Sequence, residues 1–469
     1  MTTLIDALQT KDTVTTNGMV TNSSSKDSNV DYFFQIGAMR GKDPISLFSK
    51  AFAEDPLTAI KILFWSRDVR GGAGERQLFR DVVVYLAIVS PKVLVKNLHL
   101  FSEYGRWDDI FILFGTPLEK DVLGLIAQCL AEEDGLLAKW LPRKGAIANK
   151  VRRFLNLDPK GYRKLIVGLS NTVEQKMSAK DWESINYETV PSLAMSRYLK
   201  SFHKNDGERF SSYSESLVKG EVKVNAGAVY PYDIVKSITT CDNNDTINVS
   251  VAQWDSLPNF MEGSEKRILP VVDTSGSMGT GIGTNANLQC IDVAISLGLY
   301  ISERNEGPFK DAFITFSERP TLQILKGNLL ERLASLKSAE WGFSTNLERV
   351  FEVVLRQAVK HNLSADEMPT DILILSDMQF DEACVADHTA LDMIKEMFDD
   401  HGYVLPNIVF WNLNSYGSQA PVSFNEDGTA LISGFSPAIL KSILSGETFT
   451  PYSILMDTIG SERYSAVTI

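Results

Sequence analysis

The chain has 469 residues, too many for one hydrophobic core, so two or three domains are expected. Its 44% hydrophobic and 22% charged content is that of an ordinary globular protein and excludes fibrous and wholly disordered classes. A formal net charge of −13 argues against nucleic acid as a partner of the chain as a whole.

Residues 1–28 are rich in Thr, Ser, Asn and Asp ("TNSSSKDSN") and read as a flexible tail. They lack a basic stretch followed by an apolar one, so no secretory signal is read there. From 29 to 253 the pattern is helical. "KDPISLFSKAFAEDPLTAIKILFWSRDV", "GERQLFRDVVVYLAIVS" and "KDVLGLIAQCLAEE" repeat apolar residues at three- and four-residue steps. Pro56, Pro91, Pro117, Pro142 and Pro159 fall at or near the expected joins. A succession of short amphipathic helices suggests a solenoid of stacked pairs. "RGGAGER" (Arg70 to Arg76) lacks the Gly-Lys-Ser/Thr ending of a phosphate-binding P-loop and no strand precedes it. It reads as a glycine turn between helices, with Arg70 and Arg76 as candidates to meet phosphate.

Charge is unevenly spread along the chain. Gly135 to Gly220 carries 16 Lys and Arg against 8 acids, whereas Ser264 to Ile469 carries 14 against 27. The basic segment "KWLPRKGAIANKVRRFLNLDPKGYRKL" offers Lys139, Arg143, Lys144, Lys150, Arg152, Arg153, Arg163 and Lys164, with Trp140, Phe154 and Tyr162 between them. Cations interleaved with aromatics suit an RNA backbone with some base stacking. The alternatives are a solvated helix face with core aromatics, or a patch that meets the acidic half of the same chain.

Between Ser237 and Glu265 the chain is polar and mixed, and the domain junction is placed here, at 254. Beyond it, "RILPVVD", "DAFITFS", "TLQILK", "DILILSD" and "NIVFWNLN" are short β-branched runs separated by helical stretches. That alternation predicts a parallel, Rossmann-like sheet covered by helices, with ligands beyond the carboxyl ends of its strands. Cys129, Cys241, Cys290 and Cys384 form no CxxC pair, which fits a reducing, cytoplasmic setting. The five histidines show no metal spacing. No apolar run approaches the roughly 20 residues that span a bilayer, so no membrane partner is expected.

"RILPVVDTSGSMGTG" runs from an apolar strand into Asp273, Ser275 and Ser277, on every second residue and hence on one side of an extended segment. "DILILSDMQF" ends a second apolar strand at Asp377, and "WGFSTNLERV" places Thr345 in a loop before a helix. Two carboxylates and three hydroxyls form an all-oxygen set suited to a hard cation such as Mg2+. The bland alternative is a group of turn residues capping helices. Asp-x-Ser-x-Ser with a downstream Thr and Asp resembles the metal-ion-dependent adhesion site of von Willebrand factor A domains over about Ile268 to Asn414. That resemblance implies that Ser275 and Ser277 bind Mg2+ (or Mn2+) directly, and that Thr345, Asp273 and Asp377 bind it directly or through water. Together with "WSRDVRGGAGERQLFR", "YGRWDD", "NAGAVYPYDIV", "SDMQFDEA" and "LISGFSPAILK", it resembles a family of plants, fungi, large DNA viruses and phages that joins a helical region to such a domain. The architecture is similar to that of the Ro ribonucleoprotein (TROVE-module) family, whose helical repeats bind RNA.

The expectation is a flexible tail (1–28), a helical solenoid-like domain (29–253) and a von Willebrand A-like domain (254–469). The expected function is a non-enzymatic cytoplasmic RNA-binding scaffold with a Mg2+-dependent ligand site. An adaptor capturing a partner's carboxylate through the metal, and a metal-dependent hydrolase, are the alternatives.

Overall fold

The computed structural model describes residues 13–15, 17–241, 243–282, 285–316, 320–337, 346–380, 390–414, 419–444 and 449–469. An N-terminal helical region is followed by a mostly parallel sheet. The chain divides into two compact units. One gathers residues 13–62, 71–75 and 259–464, and the other 63–70, 76–258 and 465–469.

The sheet unit begins with strands β1 (Thr13–Val14) and β2 (Val20–Thr21), paired antiparallel, then helices α1 (Ser28–Gln35) and α2 (Ile45–Glu54). Residues 13–28, expected to be mobile, are bonded into this unit. Thr15 Oγ1 donates to the Phe380 carbonyl (2.7 Å), Thr21 Oγ1 to the Ala420 carbonyl (3.0 Å), and the Phe424 amide donates to the Ser25 carbonyl (2.9 Å). Thr15 and Thr21, which resemble a disordered tail in composition, satisfy loop carbonyls with their hydroxyls, and Ser25 pairs through its backbone.

The helical unit is built from capped helices that pack on their sequence neighbours. Those needed below are α3 (Arg76–Val89), α4 (Gly135–Trp140), α5 (Ala146–Phe154), α6 (Pro159–Leu169) and α7 (Ser192–Asn205). Asp134 caps α4 by accepting from the Leu137 amide (2.8 Å), and Asp158 caps α6 ahead of Pro159 at its first position. Phe64, Phe79, Phe101 and Tyr104 meet in one aromatic cluster, and Tyr187, Phe202, Phe210 and Tyr213 in another. The quoted motifs "RGGAGERQLFR" and "YGRWDD" meet in an ion-pair network. Asp109, fully buried, takes Arg67 at 2.7 Å and Arg80 at 2.6 Å, while Asp108 takes Arg76 at 2.5 Å and Arg106 at 3.1 Å. Gly105 makes room for it, since a Cβ there would lie 2.6 Å from Asp109 Oδ2.

The sheet itself holds β3 (Ile268–Asp273), β6 (Ala312–Phe316), β7 (Thr321–Ile324), β8 (Asp371–Ser376), β9 (Asn407–Asn412) and β10 (Thr429–Ser433). Its order is β10–β9–β8–β3–β6–β7, parallel except for β7. The short pair β4 (Gly281–Ile282) and β5 (Asn285–Gln289) leads into helix α8 (Cys290–Arg304). Every residue of β3 and β8 is buried, which is why those runs are apolar without alternation. Helix α8 lies close on β3: a Cβ on Gly298 would come within 2.5 Å of Val272 Cγ2.

Candidate functional site

Each central strand ends its apolar run on a polar residue, and the registers align those endings. Val272 pairs with Leu375, so Asp273 stands beside Ser376. Ser376 pairs with Asn412, and Asn412 with Ser433. All four are fully buried at the carboxyl edge of the sheet. The outer two are used structurally. Asn412 Nδ2 donates to the Phe34 carbonyl (3.2 Å) and Ser433 Oγ to the Phe33 carbonyl (2.9 Å), satisfying end carbonyls of α1. The next turn brings backbones together, as a Cβ on Gly37 would lie 2.4 Å from the Gly434 nitrogen.

The inner two belong to the oxygen-rich cluster. Ser376 Oγ donates to Asp273 Oδ2 at 2.5 Å and accepts from the Met378 amide at 3.0 Å. The Ser275 amide donates to Asp273 Oδ1 at 2.9 Å, and the Ser275 and Ser277 hydroxyls lie 3.0 Å apart. A 3-10 turn, Gly276–Gly279, follows Ser275 and curls Ser277 back toward it. Asp377 is fully buried one residue beyond β8. Its Oδ1 accepts a long bond from the Gln379 amide (3.3 Å), and among the described residues its buried Oδ2 has no hydrogen-bond partner. The backbone turns sharply just after it, with Met378 at φ 65°, a conformation that non-glycine residues adopt at a cost of about 1–2 kcal/mol.

Two buried carboxylates therefore share one site. Burial and the neighbouring Asp377 push the Asp273 carboxyl up to about 7, against the pull of the Ser376 and Ser275 hydrogen bonds. Burial also raises Asp377, with the Ser277 hydroxyl and the Gln379 amide opposing. Such a pair is costly without a positive charge between its members, and a buried carboxylate oxygen without a donor marks where one would bind. Among the described residues no three His, Cys, Asp or Glu side chains converge. The set has two carboxylates and is completed by hydroxyls, a donor chemistry that fits a hard divalent cation and not a soft one. Cys290, the buried first residue of α8, adjoins the site. Its thiol is pushed up to about 12, by burial first and then by Asp377.

Of the five residues expected to hold metal, the structure brings Asp273, Ser275, Ser277 and Asp377 to one edge. Thr345 lies outside the described residues. The eight expected RNA contacts separate. Lys139, Arg143 and Arg163 line one hollow. Lys150 pairs with Glu119 at 2.7 Å and Arg152 donates to Asn149 Oδ1, while Lys144, Arg153 and Lys164 are exposed elsewhere on α5, α6 and the loop after α4. Sequence reasoning missed Ser376, whose place after an apolar run and before Asp377 was the available signal. It also missed Arg106 and Arg197, which reach the basic hollow from distant segments without any local pattern.

Among the described residues no helix is long and apolar enough to cross a membrane. The chain is 28% identical to "Uncharacterized protein L728" of Acanthamoeba polyphaga mimivirus, over 95% of this chain and 86% of that protein. Its fold is similar to the crystal structure of the RO (RSR) protein of Deinococcus radiodurans at 13% identity and a TM-score of 0.40, covering 92% of this chain and 99% of that one. Residues 267–462 match a family described as Domain of unknown function (DUF7788). Residues 15–134 and 121–265 match a second family model and together span more than half of the 469 residues. The chain thus belongs to the family described as Domain of unknown function (DUF2828).

Proposed function

We propose that the protein is a binding scaffold and not a catalyst, with RNA as the ligand of the helical unit and a Mg2+-dependent ligand site, of the von Willebrand A kind, on the sheet unit. The observation that carries the metal site is the buried Oδ2 of Asp377, unpartnered among the described residues, beside the raised carboxyl of Asp273. Ser275 and Ser277 would hold Mg2+ (or Mn2+) through their hydroxyls, and Asp273 and Asp377 directly or through water. The cation would supply a Lewis-acidic position for an acidic side chain of a partner. The chain's own residues do the rest: Ser376 fixes the rotamer of Asp273, and the Met378 turn aims Asp377. RNA binding is supported by the excess of cations between Gly135 and Gly220.

Recovery of the full chain from cytoplasmic lysate of its source, with and without EDTA, tests this. RNA is expected in both preparations, and a protein partner only without chelator. Thr345→Ala is expected to weaken partner capture more than metal affinity. Absence of RNA, or a partner set indifferent to EDTA, would contradict the respective half.

A further inference from the structure

The helical unit contains a hollow of about 970 Å3 between α4, the loop after it, α6 and α7. Five cations line it: Arg106, Lys139, Arg143, Arg163 and Arg197. Glu174 is the only carboxylate among the described residues of that lining, and Lys139 already pairs with it at 3.5 Å. Arg143, Arg163 and Arg197 come from three separate elements, are exposed, and form no ion pair among the described residues. Converging like charges repel, and the chain gains nothing from the arrangement unless an anion sits among them.

The hollow is not merely basic. Val167 and Leu193, 42% and 46% exposed, form part of the same wall. The Trp140 ring joins them, backed by the Arg106 guanidinium at 4.5 Å from its centroid. Arg106 is held in turn by Asp108 at 3.1 Å, so the ring is braced by the ion-pair network. Unpaired forks for phosphate beside an apolar, aromatic wall are what a nucleotide needs, since it carries an anion and a flat apolar base on one frame. Inorganic phosphate would use only the first of these features.

We propose that this hollow holds one nucleotide of a single RNA strand, its phosphate on Arg143, Arg163 and Arg197 and its base against Val167, Leu193 and Trp140. The assignment rests on the RNA-binding reading of the helical unit and adds the place and manner of contact. It separates Arg143 and Arg163, within the contiguous basic segment, from Lys150, which Glu119 neutralises.

The test is fluorescence anisotropy of the full-length protein with a labelled ten-nucleotide oligouridylate, over a salt series, and with labelled ATP. The wild type is expected to bind the oligonucleotide. Combined Arg143→Ala, Arg163→Ala and Arg197→Ala should lower the affinity by about tenfold or more and flatten the log–log salt slope by about 0.7, the contribution of the one phosphate they hold. Leu193→Ser should weaken binding a few-fold with the slope unchanged. All four residues are exposed, so unchanged melting curves are expected and serve as the folding control. Oligonucleotide binding that survives the triple substitution would overturn the hollow and leave RNA binding standing. ATP binding without oligonucleotide binding would overturn RNA as the occupant and the RNA reading with it. Displacement of the RNA by oligoglutamate at equal charge would overturn the nucleotide assignment.

Discussion

Asp273 and Asp377 feel each other's charge in a buried site, and their protonation reports on that site. Folding lifts the Asp273 carboxyl from an ordinary 3.8 to about 7. Between those values the folded chain keeps a proton that the unfolded chain releases, so metal-free stability falls as pH rises through that window. The amount is on the order of a few kcal/mol. Asp31, raised to about 6 chiefly by burial, acts with the same sign, so a difference measurement is needed. Asp273→Asn removes the charge while leaving an amide that can pair with the Ser275 amide and Ser376 hydroxyl. In EDTA the variant is expected to melt higher than wild type at pH 8, with the gap closing by about pH 4, and Mg2+ should stabilise only the wild type. Equal melting of the two proteins at pH 8 in EDTA would show that the carboxylate pair carries no such strain.

Elements explain what single residues cannot. The strand endings "VVD" and "LILSD" were legible because a doubly buried parallel strand is an uninterrupted apolar run, and the first polar residue after it marks the sheet's edge. The neighbours of those endings were less so. Ser376 reads like any turn serine until the register sets it beside Asp273. The bonding of residues 13–37 to the loops after β8, β9 and β10 has no sequence signal, because Thr15, Thr21 and Ser25 have the composition of a disordered tail. Gly37 was equally silent. Its requirement comes from Gly434, nearly four hundred residues away in the chain, and Gly37→Ala is expected to cost about 1–3 kcal/mol by overpacking. A melt indistinguishable from wild type would mean that the two backbones are not in contact. In the helical unit, Asp109→Ala strands the buried Arg67 without a counter-charge, and a loss of about 3–5 kcal/mol is expected in urea unfolding.

At the scale of the whole molecule, charge and chemistry are partitioned along the chain. The acidic half carries Asp273, Ser275, Ser277 and Asp377, and the basic segment lies within the helical unit. A net charge of −13 hides this division. The most direct measurement of the central claim is calorimetric titration of Mg2+ into the full-length protein, set beside Asp273→Ala and Asp377→Ala. Saturable one-site binding in the wild type, lost in both variants while their melts remain cooperative, is the expected result. Equal Mg2+ affinity in all three proteins, or none in the wild type, would contradict the assignment of a metal-dependent ligand site.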